Sequence, residues 1–299
     1  MGELHPRNRH KGRYDMTQLT QYNEGLSRFV TRNKYGDLSI DFFDPQAVKE
    51  LNKALLSHYY GFEYWDIPPQ ALVPPIPSRA DYIHYAADLI GASRRDVRCL
   101  DIGVGANCIY PIIGVCEYGW SFVGSDIEPA SLDSARAIVE RNPLLFGHVE
   151  LRLQSNRDYI FEGVINGDDY FDLTLCNPPF HDSPESAVKG STRKVRNLKA
   201  ASKGGKRSKV VGDNKTPILN FAGESNELWC EGGERAFVSK MIRESAKFKH
   251  NVGWFTSLIS KEDNLPHLKR ELREVGASRS RCIEMSQGNK RSRLLAWSF

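Results

Sequence analysis

The feature of this sequence that most constrains its fold is a regular alternation of strand-like and helix-like segments from about residue 80 onward. The apolar run VRCLDIG (97–103) is followed by the helix-length segment ANCIYPIIGVCEYG, and SFVGSDI (121–127) is followed by PASLDSARAIVERN. Strands that alternate with helices in this way form βαβ units with a parallel sheet. The alternation therefore predicts an α/β fold built on an open, doubly wound sheet.

The C-terminal segments complete the predicted sheet. The last two strand-like runs, SRSRCIEMS (278–286) and RLLAWSF (293–299), are joined only by the turn QGNKRS. A connection this short pairs its strands antiparallel. We therefore expect a Rossmann-like, mostly parallel seven-stranded sheet with one antiparallel strand. The remaining strand-like runs are HVELRLQ, YFDLTLC and NVGWFTSLIS.

The N-terminal quarter of the chain has a different pattern. After an Asp-Pro start, four residues at helical spacing predict a helix: Val48, Leu51, Leu55 and Tyr59. Five prolines within residues 68–77 exclude a helix there and predict an extended linker. A second helix, ADYIHYAADLIGAS, is predicted to end at Gly91. We therefore predict a small helical region at 1–75 and a second domain at 76–299.

Positive charge is concentrated in two segments. The net charge is +4, but residues 1–13 carry +3 and residues 189–215 carry +9, which leaves −8 for the remainder. An acidic body with two basic arms favours an anionic partner such as a nucleic acid, although a single charged run is often only a solvated loop. The stretch at about 183–226 also interrupts the strand–helix alternation, so we expect a flexible basic insertion there.

The composition indicates a globular cytoplasmic protein. The six cysteines form no CxxC pair and most lie in apolar runs, which favours buried, reduced thiols over a zinc site. No apolar run is long enough to span a membrane, and the N-terminus has no secretory signal pattern. We expect a monomer without a metal ion or a membrane partner.

The segment LDIGVGANCIY predicts a nucleotide-binding turn between a strand and a helix. Gly103 and Gly105 let the backbone approach a ligand, and Asp126 ends the next strand, where it can accept hydrogen bonds from ribose hydroxyls. A dinucleotide site requires a third glycine where Cys108 stands. Asp101 would repel a pyrophosphate but attract the ammonium of a methionine group. The pattern favours S-adenosyl-L-methionine over NAD, with a plain βα turn as the alternative.

The segment CNPPF (176–180) ends the fourth strand of the α/β region and is predicted to face the same crevice. Proline has no N–H and holds the preceding residue extended, so this backbone is stiff and presents acceptors. The Asn177 side-chain oxygen and the Pro178 carbonyl can bind one amine, while Phe180 lies against an aromatic base. Acceptors at both N–H groups would stabilise positive charge developing on that nitrogen during methyl transfer. A structural Asn-Pro turn is the alternative.

Four motifs give the chain a family resemblance. DIGVGANCIYP, CNPPF, WCEGGE and the terminal AWSF resemble the large subunit methyltransferase F family of ribosomal RNA adenine-N6 methyltransferases, which has a eukaryotic relative acting on a spliceosomal small nuclear RNA. The resemblance covers nearly the whole chain. It implies transfer of a methyl group from S-adenosyl-L-methionine to the N6 amine of an adenine in large-subunit ribosomal RNA. It also implies an RNA-binding role for residues 1–75 and a methyltransferase domain at 76–299.

The resemblance also implies roles at matching positions. Arg79 would contact the methionine carboxylate, Asn107 the methionine end and Asn156 the adenine. The expected cofactor site is Arg79, Asp101, Gly103, Gly105, Asn107, Asp126, Asn156 and Asn177. The expected catalytic group is Asn177, Pro178, Pro179 and Phe180. The expected RNA contacts are Arg7, Arg9, Lys11 and Arg13 in the N-terminal arm and Arg193, Lys194 and Arg196 in the insertion.

Other functions are compatible with the same motifs. The asparagine-proline-proline-aromatic motif is shared by enzymes that methylate DNA adenine or protein glutamine, and a small nuclear RNA is a further candidate substrate. A DNA enzyme commonly carries an additional target-recognition domain, for which this chain has little spare length. A catalytically silent RNA-binding protein is the non-enzymatic alternative, and the intact Asn177–Phe180 motif disfavours it.

Overall fold

Seven strands form one mixed sheet in the structure, a computed structural model that describes residues 3–183, 229–287 and 290–299. Two short strands precede it as a separate hairpin, β1 (Thr31–Arg32) and β2 (Leu38–Ser39). The sheet strands are β3 (Arg98–Ile102), β4 (Ser121–Asp126), β5 (Val149–Leu153), β6 (Phe171–Cys176), β7 (Val252–Ile259), β8 (Arg279–Gln287) and β9 (Lys290–Ser298). Their spatial order is β5-β4-β3-β6-β7-β9-β8.

The strand directions confirm the predicted fold class. Strands β3 to β7 pair in parallel, and β9 alone runs antiparallel to its two neighbours, β7 and β8. The sheet is therefore mostly parallel with one antiparallel strand. The strand order reverses around β3, since β4 lies on one side of it and β6 on the other, and ligands bind at such a switch point.

Helices cover both faces of the sheet. Alternate residues of one strand enter different apolar clusters: Leu294 and Ala296 of β9 pack into one, Leu295 and Trp297 into the other. The α-helices in the described residues are α1 (Met16–Tyr22), α2 (Pro45–Tyr60), α3 (Ile76–Ile90), α4 (Ile109–Tyr118), α5 (Pro129–Glu140), α6 (Gly233–Ser245) and α7 (Leu265–Glu274). Within the described parts of the chain, no helix is long and apolar enough to cross a bilayer.

The N-terminal region shares its core with the sheet. One apolar cluster contains residues from Met16 of α1 to Ala296 of β9, and Val48, Leu51 and Leu55 of α2 are buried in it as the helical spacing predicted. The segment between α2 and α3 is non-helical, as the prolines predicted, but it is not a free linker. Its side chains Phe62, Trp65, Ile67 and Val73 are also buried in this cluster.

Helix α3 begins earlier than the sequence predicted. It starts at Ile76 rather than at Ala80, because Pro77 lies in the first turn, where its missing N–H has no helical partner to lose. The helix ends at Gly91, which has a φ of +91°. The earlier start places Arg79 on the helix, one turn before Tyr82 and Ile83. This register determines which α3 side chains reach the end of β6.

Candidate active site

The glycine turn after β3 forms one wall of the crevice. Gly103 and Gly105 have positive φ values of +72° and +62°, which glycine adopts without steric cost. The N–H groups of Gly103 and Val104 both donate to the carbonyl of Ser125 at 2.9 Å, so the turn is fastened to β4. In the described part of the chain, and apart from Gly103 and its two chain neighbours, no atom lies within 4 Å of the position that a Cβ of Gly103 would occupy. The turn therefore has open space on that side.

Asp126 is held in place by backbone donors. Its two carboxylate oxygens accept hydrogen bonds from the N–H of Gly105 at 2.9 Å and from the N–H of Glu128 at 3.0 Å. Burial raises the pKa of this carboxyl, and these backbone bonds act in the opposite direction. Because each carboxylate oxygen has a second acceptor position, Asp126 can still accept from a diol, as a ribose requires.

Asp101 is a fully buried carboxyl whose two oxygens have no hydrogen-bond partner among the residues that the structure describes. Burial, and after it the charge of Asp126, raise the pKa of Asp101 well above its ordinary value. A buried unpaired acid costs free energy that a cationic donor can offset. A methionine ammonium meets this requirement and a pyrophosphate does not, so the donor set fits S-adenosyl-L-methionine.

Asn107 and Cys108 connect the turn to α4. Asn107 is buried; its side-chain oxygen accepts from the N–H of Ile109 at 3.1 Å, and its carbonyl accepts from the indole N–H of Trp65 at 2.9 Å. Cys108 stands where a dinucleotide-binding chain has its third glycine, and it adopts a positive φ of +52°. This position therefore has a left-handed backbone without a glycine, and the cofactor role of Asn107 stays a prediction.

Asn177 and Arg79 contact each other directly. The guanidinium Nη1 of Arg79 donates to the Asn177 side-chain oxygen at 3.0 Å and to the hydroxyl of Tyr110 at 3.1 Å. Pro178 and Pro179 are buried, whereas Asn177 and Phe180 are half-buried and lie at the end of β6. The ends of β3, β4 and β6 adjoin in the sheet, so the structure brings the glycine turn, Asp126 and Asn177 to one edge.

Asn156 is more exposed to solvent than Asp126 and Asn177. It is exposed in the loop that follows β5, and its side-chain oxygen accepts from the N–H of Asp158 at 2.9 Å. Its own N–H donates to the side chain of Gln154 at 2.9 Å. These bonds form a local turn. Its expected role near the adenine stays a prediction.

The N-terminal arm packs against the domain instead of extending from it. His5, Asn8 and His10 are buried, and the Asn8 side chain donates to Asp81 at 2.5 Å and to the carbonyl of Pro77 at 2.8 Å. The arm is therefore ordered by its contacts with the domain. Buried polar residues between the basic ones, which a charge count does not register, anchor it.

The basic residues of the arm have partners on the protein. Arg7 pairs with Asp88 at 2.7 Å, Arg9 with Glu117 at 3.0 Å and Arg13 with Asp37 at 2.5 Å. The Lys11 ammonium donates to the carbonyl of Pro6 at 2.7 Å. The expected RNA contacts Arg193, Lys194 and Arg196 lie outside the described residues, as does the insertion apart from Ser183. The RNA roles of all these residues stay predictions.

Residues that support the site lie outside the set that the sequence predicts. Glu234 of the WCEGGE motif is buried and accepts from Ser260, Lys261 and Asn264, which fixes the loop after β7. The N–H of Cys230 in the same motif donates to the carbonyl of His181 at 3.1 Å, directly after the CNPPF segment. The motif itself was the available signal, because WCEGGE was part of the family resemblance.

Tyr110 was also missed. It belongs to the segment LDIGVGANCIY, follows the glycine turn and contacts Arg79 from α4. No spacing rule predicts this contact, since Arg79 and Tyr110 are 31 residues apart. In the described ranges, no cluster of three or more His, Cys, Asp or Glu side chains is arranged to hold a metal ion.

Comparison with known proteins confirms the family resemblance. A family model described as RNA methyltransferase matches residues 1–299. The chain is 55% identical over 311 residues to the ribosomal RNA large subunit methyltransferase F of Bacteroides fragilis (strain YCH46), covering 99% of this chain and 98% of that protein. It is 53% identical over 305 residues to the ribosomal RNA large subunit methyltransferase F of Ectopseudomonas mendocina (strain ymp), covering 100% and 89%.

Solved structures show the same fold. The catalytic domain of hMettl16 in complex with the MAT2A 3'UTR hairpin 6 superposes with a TM-score of 0.79 at 30% identity, covering 99% of this chain and 97% of that one. The N-terminal domain of human METTL16 in complex with SAH gives a TM-score of 0.77 at 28% identity, covering 99% and 98%. The chain therefore belongs to the RNA methyltransferase family, together with the ribosomal RNA large subunit methyltransferases F.

Proposed function

We propose that this chain transfers a methyl group from S-adenosyl-L-methionine to the N6 amine of a specific adenine in large-subunit ribosomal RNA. The observation that carries the proposal is the shared sheet edge, where the CNPPF segment stands beside the glycine turn and the unpaired Asp101. The names of the relatives that are 55% and 53% identical support ribosomal RNA as the substrate. The SAH complex of the human structural neighbour supports S-adenosyl-L-methionine as the cofactor.

The chain's own residues account for cofactor binding. Asp101 offers a buried carboxylate to an ammonium, and Asp126 offers acceptors to ribose hydroxyls. Gly103 leaves space for the ligand beside the backbone. When bound, S-adenosyl-L-methionine supplies an electrophilic methyl group on a sulfonium. Arg79 stands at the same crevice, and its guanidinium is the cation that would bind the methionine carboxylate.

The CNPPF segment accounts for substrate amine binding. Asn177 Oδ1 already accepts one bond from Arg79, but an amide oxygen has two acceptor positions, so it can accept an N–H of the amine as well. Because a guanidinium can only donate, the bond from Arg79 also fixes the orientation of the Asn177 amide, with its oxygen toward Arg79. The Pro178 carbonyl provides the second acceptor. Positive charge that develops on the nitrogen is stabilised by these two fixed dipoles, and the released proton passes to water.

The target base must leave its stack to reach this edge of the sheet. Phe180 is half-buried at the end of the segment, so part of its ring faces solvent and can stack on a base. Such a base enters as an extruded or single-stranded nucleotide. A small nuclear RNA, DNA adenine and protein glutamine are the alternative substrates. The RNA-bearing structural neighbour favours RNA among them.

Incubation of the protein with methyl-labelled S-adenosyl-L-methionine and separate pools of ribosomal RNA, other RNA, DNA and protein tests the proposal. Label in large-subunit RNA alone is expected. Label in DNA or protein would assign the chemistry to another polymer, and label in none would support a silent RNA-binding protein. The monomeric state and cytoplasmic location stay predictions, and light scattering after size-exclusion chromatography tests the first.

A further inference from the structure

Strands β6 and β7 stop pairing before β6 ends. Their parallel register runs from Phe171 opposite Val252 to Leu173 opposite Trp254. Cys176, the last residue of β6, remains paired with Ile102 of β3 on its other side. The backbone directly before Asn177 is therefore held by strand pairing on one side, and its N–H toward β7 needs a different acceptor.

A chain of buried hydroxyls supplies this acceptor. The N–H of Cys176 donates to the Tyr82 hydroxyl at 3.2 Å, and the Tyr82 hydroxyl lies 2.7 Å from Thr256 Oγ1. The Thr256 hydroxyl donates to the carbonyl of Thr174 at 2.6 Å. Because the single hydroxyl proton of Thr256 is donated to the Thr174 carbonyl, the Tyr82 hydroxyl is the donor in its hydrogen bond with Thr256. The chain of hydrogen bonds thus begins at Cys176 of β6 and ends at Thr174 of the same strand.

The chain of buried hydroxyls is inaccessible to substrates. Tyr82, Thr174 and Thr256 are fully buried, and the Tyr82 ring packs edge-on against Tyr110 at 5.2 Å between centroids. Two neighbouring side chains of α3 therefore act on one segment: Arg79 holds the side chain of Asn177, and Tyr82 holds the backbone of the residue before it. Positions three residues apart lie on one face of a helix, so a single rigid element makes both contacts.

We propose that Tyr82, oriented by Thr256, is a positioning residue for methyl transfer that sets where the Asn177 amide and the Pro178 carbonyl meet the amine. This inference rests on the proposed function. Removing the Tyr82 hydroxyl leaves the Cys176 N–H without its acceptor, so the CNPPF segment can shift. Small misplacements of reacting groups cost up to about a hundredfold in rate. Because the Tyr82 side chain is fully buried, its hydroxyl should contribute little to the binding of RNA or cofactor.

The test compares Tyr82→Phe and Thr256→Val with a matched control, Tyr85→Phe. Tyr85 lies on the same helix, but it is only half-buried and its ring packs edge-on against His5 at 4.7 Å. We expect the first two variants to lower kcat on ribosomal RNA by about tenfold or more. The dissociation constants for RNA and S-adenosyl-L-methionine should stay within about twofold of wild type. The double variant should lose little more than the worse single variant, since both act through one chain.

A kcat of Tyr82→Phe within about twofold of wild type would overturn the inference, and so would a parallel loss of RNA and cofactor affinity. Hydrogen exchange at the Cys176 amide gives a readout that does not depend on activity. Exchange should be about tenfold faster or more in Tyr82→Phe than in wild type, and it should be unchanged in Tyr85→Phe. Equal exchange in wild type, Tyr82→Phe and Tyr85→Phe would overturn the inference. A wild-type protein that transfers no label to RNA contradicts the proposed function, while this exchange measurement still decides whether Tyr82 holds the segment.

Discussion

The guanidinium of Arg79 donates a hydrogen bond to the side-chain oxygen of Asn177 across 3.0 Å, joining α3 to the end of β6. The family resemblance implies that Arg79 binds the cofactor carboxylate, and the CNPPF segment predicts that Asn177 binds the substrate amine. Their contact places the two binding functions next to each other. The orientation of the Asn177 amide is therefore set by the residue expected to bind the cofactor.

Asn177→Ala is expected to reduce kcat by roughly a hundredfold or more, because it removes an acceptor that stabilises the charged transition state. RNA affinity should change little, since a single half-buried amide contributes little to binding a polyanion. Single-turnover methylation and filter binding measure the two effects separately. Comparable loss of RNA binding would show instead that Asn177 holds the structure of the RNA-binding surface.

Asp101→Asn is expected to stabilise the cofactor-free protein increasingly as the pH rises and to weaken cofactor binding. Burial, followed by the charge of Asp126, raises the pKa of Asp101 well above 3.8 in the folded chain. Folding thus favours the protonated acid, so the stability contributed by this group is present below 3.8 and is lost as the pH rises through the raised pKa. The amide of the variant does not titrate.

Denaturant unfolding of both proteins at several pH values checks this sign. The difference in unfolding free energy should grow in favour of Asp101→Asn toward high pH, while the affinity for S-adenosyl-L-methionine falls by about tenfold or more. Parallel pH profiles for the two proteins would show that Asp101 does not carry the raised pKa. Unchanged cofactor affinity would show that Asp101 does not face the ammonium.

Two variants of the N-terminal arm separate its packing from its charge. Asn8→Ala should lower the free energy of unfolding by roughly 1–3 kcal/mol, because it leaves the buried Asp81 carboxylate without one donor. Arg13→Ala removes a side chain that is 82% exposed, and it should leave stability nearly unchanged. If Arg13 binds an RNA phosphate, the slope of log affinity against log salt should fall by about 1. An unchanged slope would remove Arg13 from the RNA contacts.

Two buried histidines, His10 of the N-terminal arm and His84 of α3, should make the protein less stable in acid. Burial lowers the pKa of His10 and of His84 from 6.5 to about 4. The unfolded chain therefore binds these protons more tightly than the folded one, so their contribution is complete above 6.5 and is lost as the pH falls toward about 4. His84→Gln removes one titrating group and should flatten the decline in unfolding free energy over this range. An equal decline in the variant would contradict the assignment.

The fold was largely predictable because its signals are local. Strand and helix lengths alternate along the chain, and the short turn before β9 determines one antiparallel pairing. Helix α1 and the β1–β2 hairpin escaped prediction, since seven and two residues are too short for a periodic pattern. The start of α3 was misplaced because several nearby prolines obscured the one that is tolerated in a first helical turn.

The candidate site was predictable in its residue types but not in its internal contacts. Glycines after a strand and acceptors after another strand can be read from the sequence and placed at one sheet edge. The Arg79–Asn177 bond spans 98 residues and the Tyr82–Thr256 bond spans 174. No spacing rule connects positions so distant. Burial of Asp101 without a partner likewise depends on packing that composition does not reveal.

The most direct test of the central claim identifies the methylated nucleoside. Large-subunit ribosomal RNA from cells that lack this protein is incubated with the enzyme and S-adenosyl-L-methionine, digested to nucleosides and analysed by mass spectrometry. The account predicts new N6-methyladenosine that maps to a single adenine and forms at least about a hundredfold more slowly with Asn177→Ala. Methylation of another nucleoside, or equal N6-methyladenosine from the Asn177→Ala variant, would contradict it.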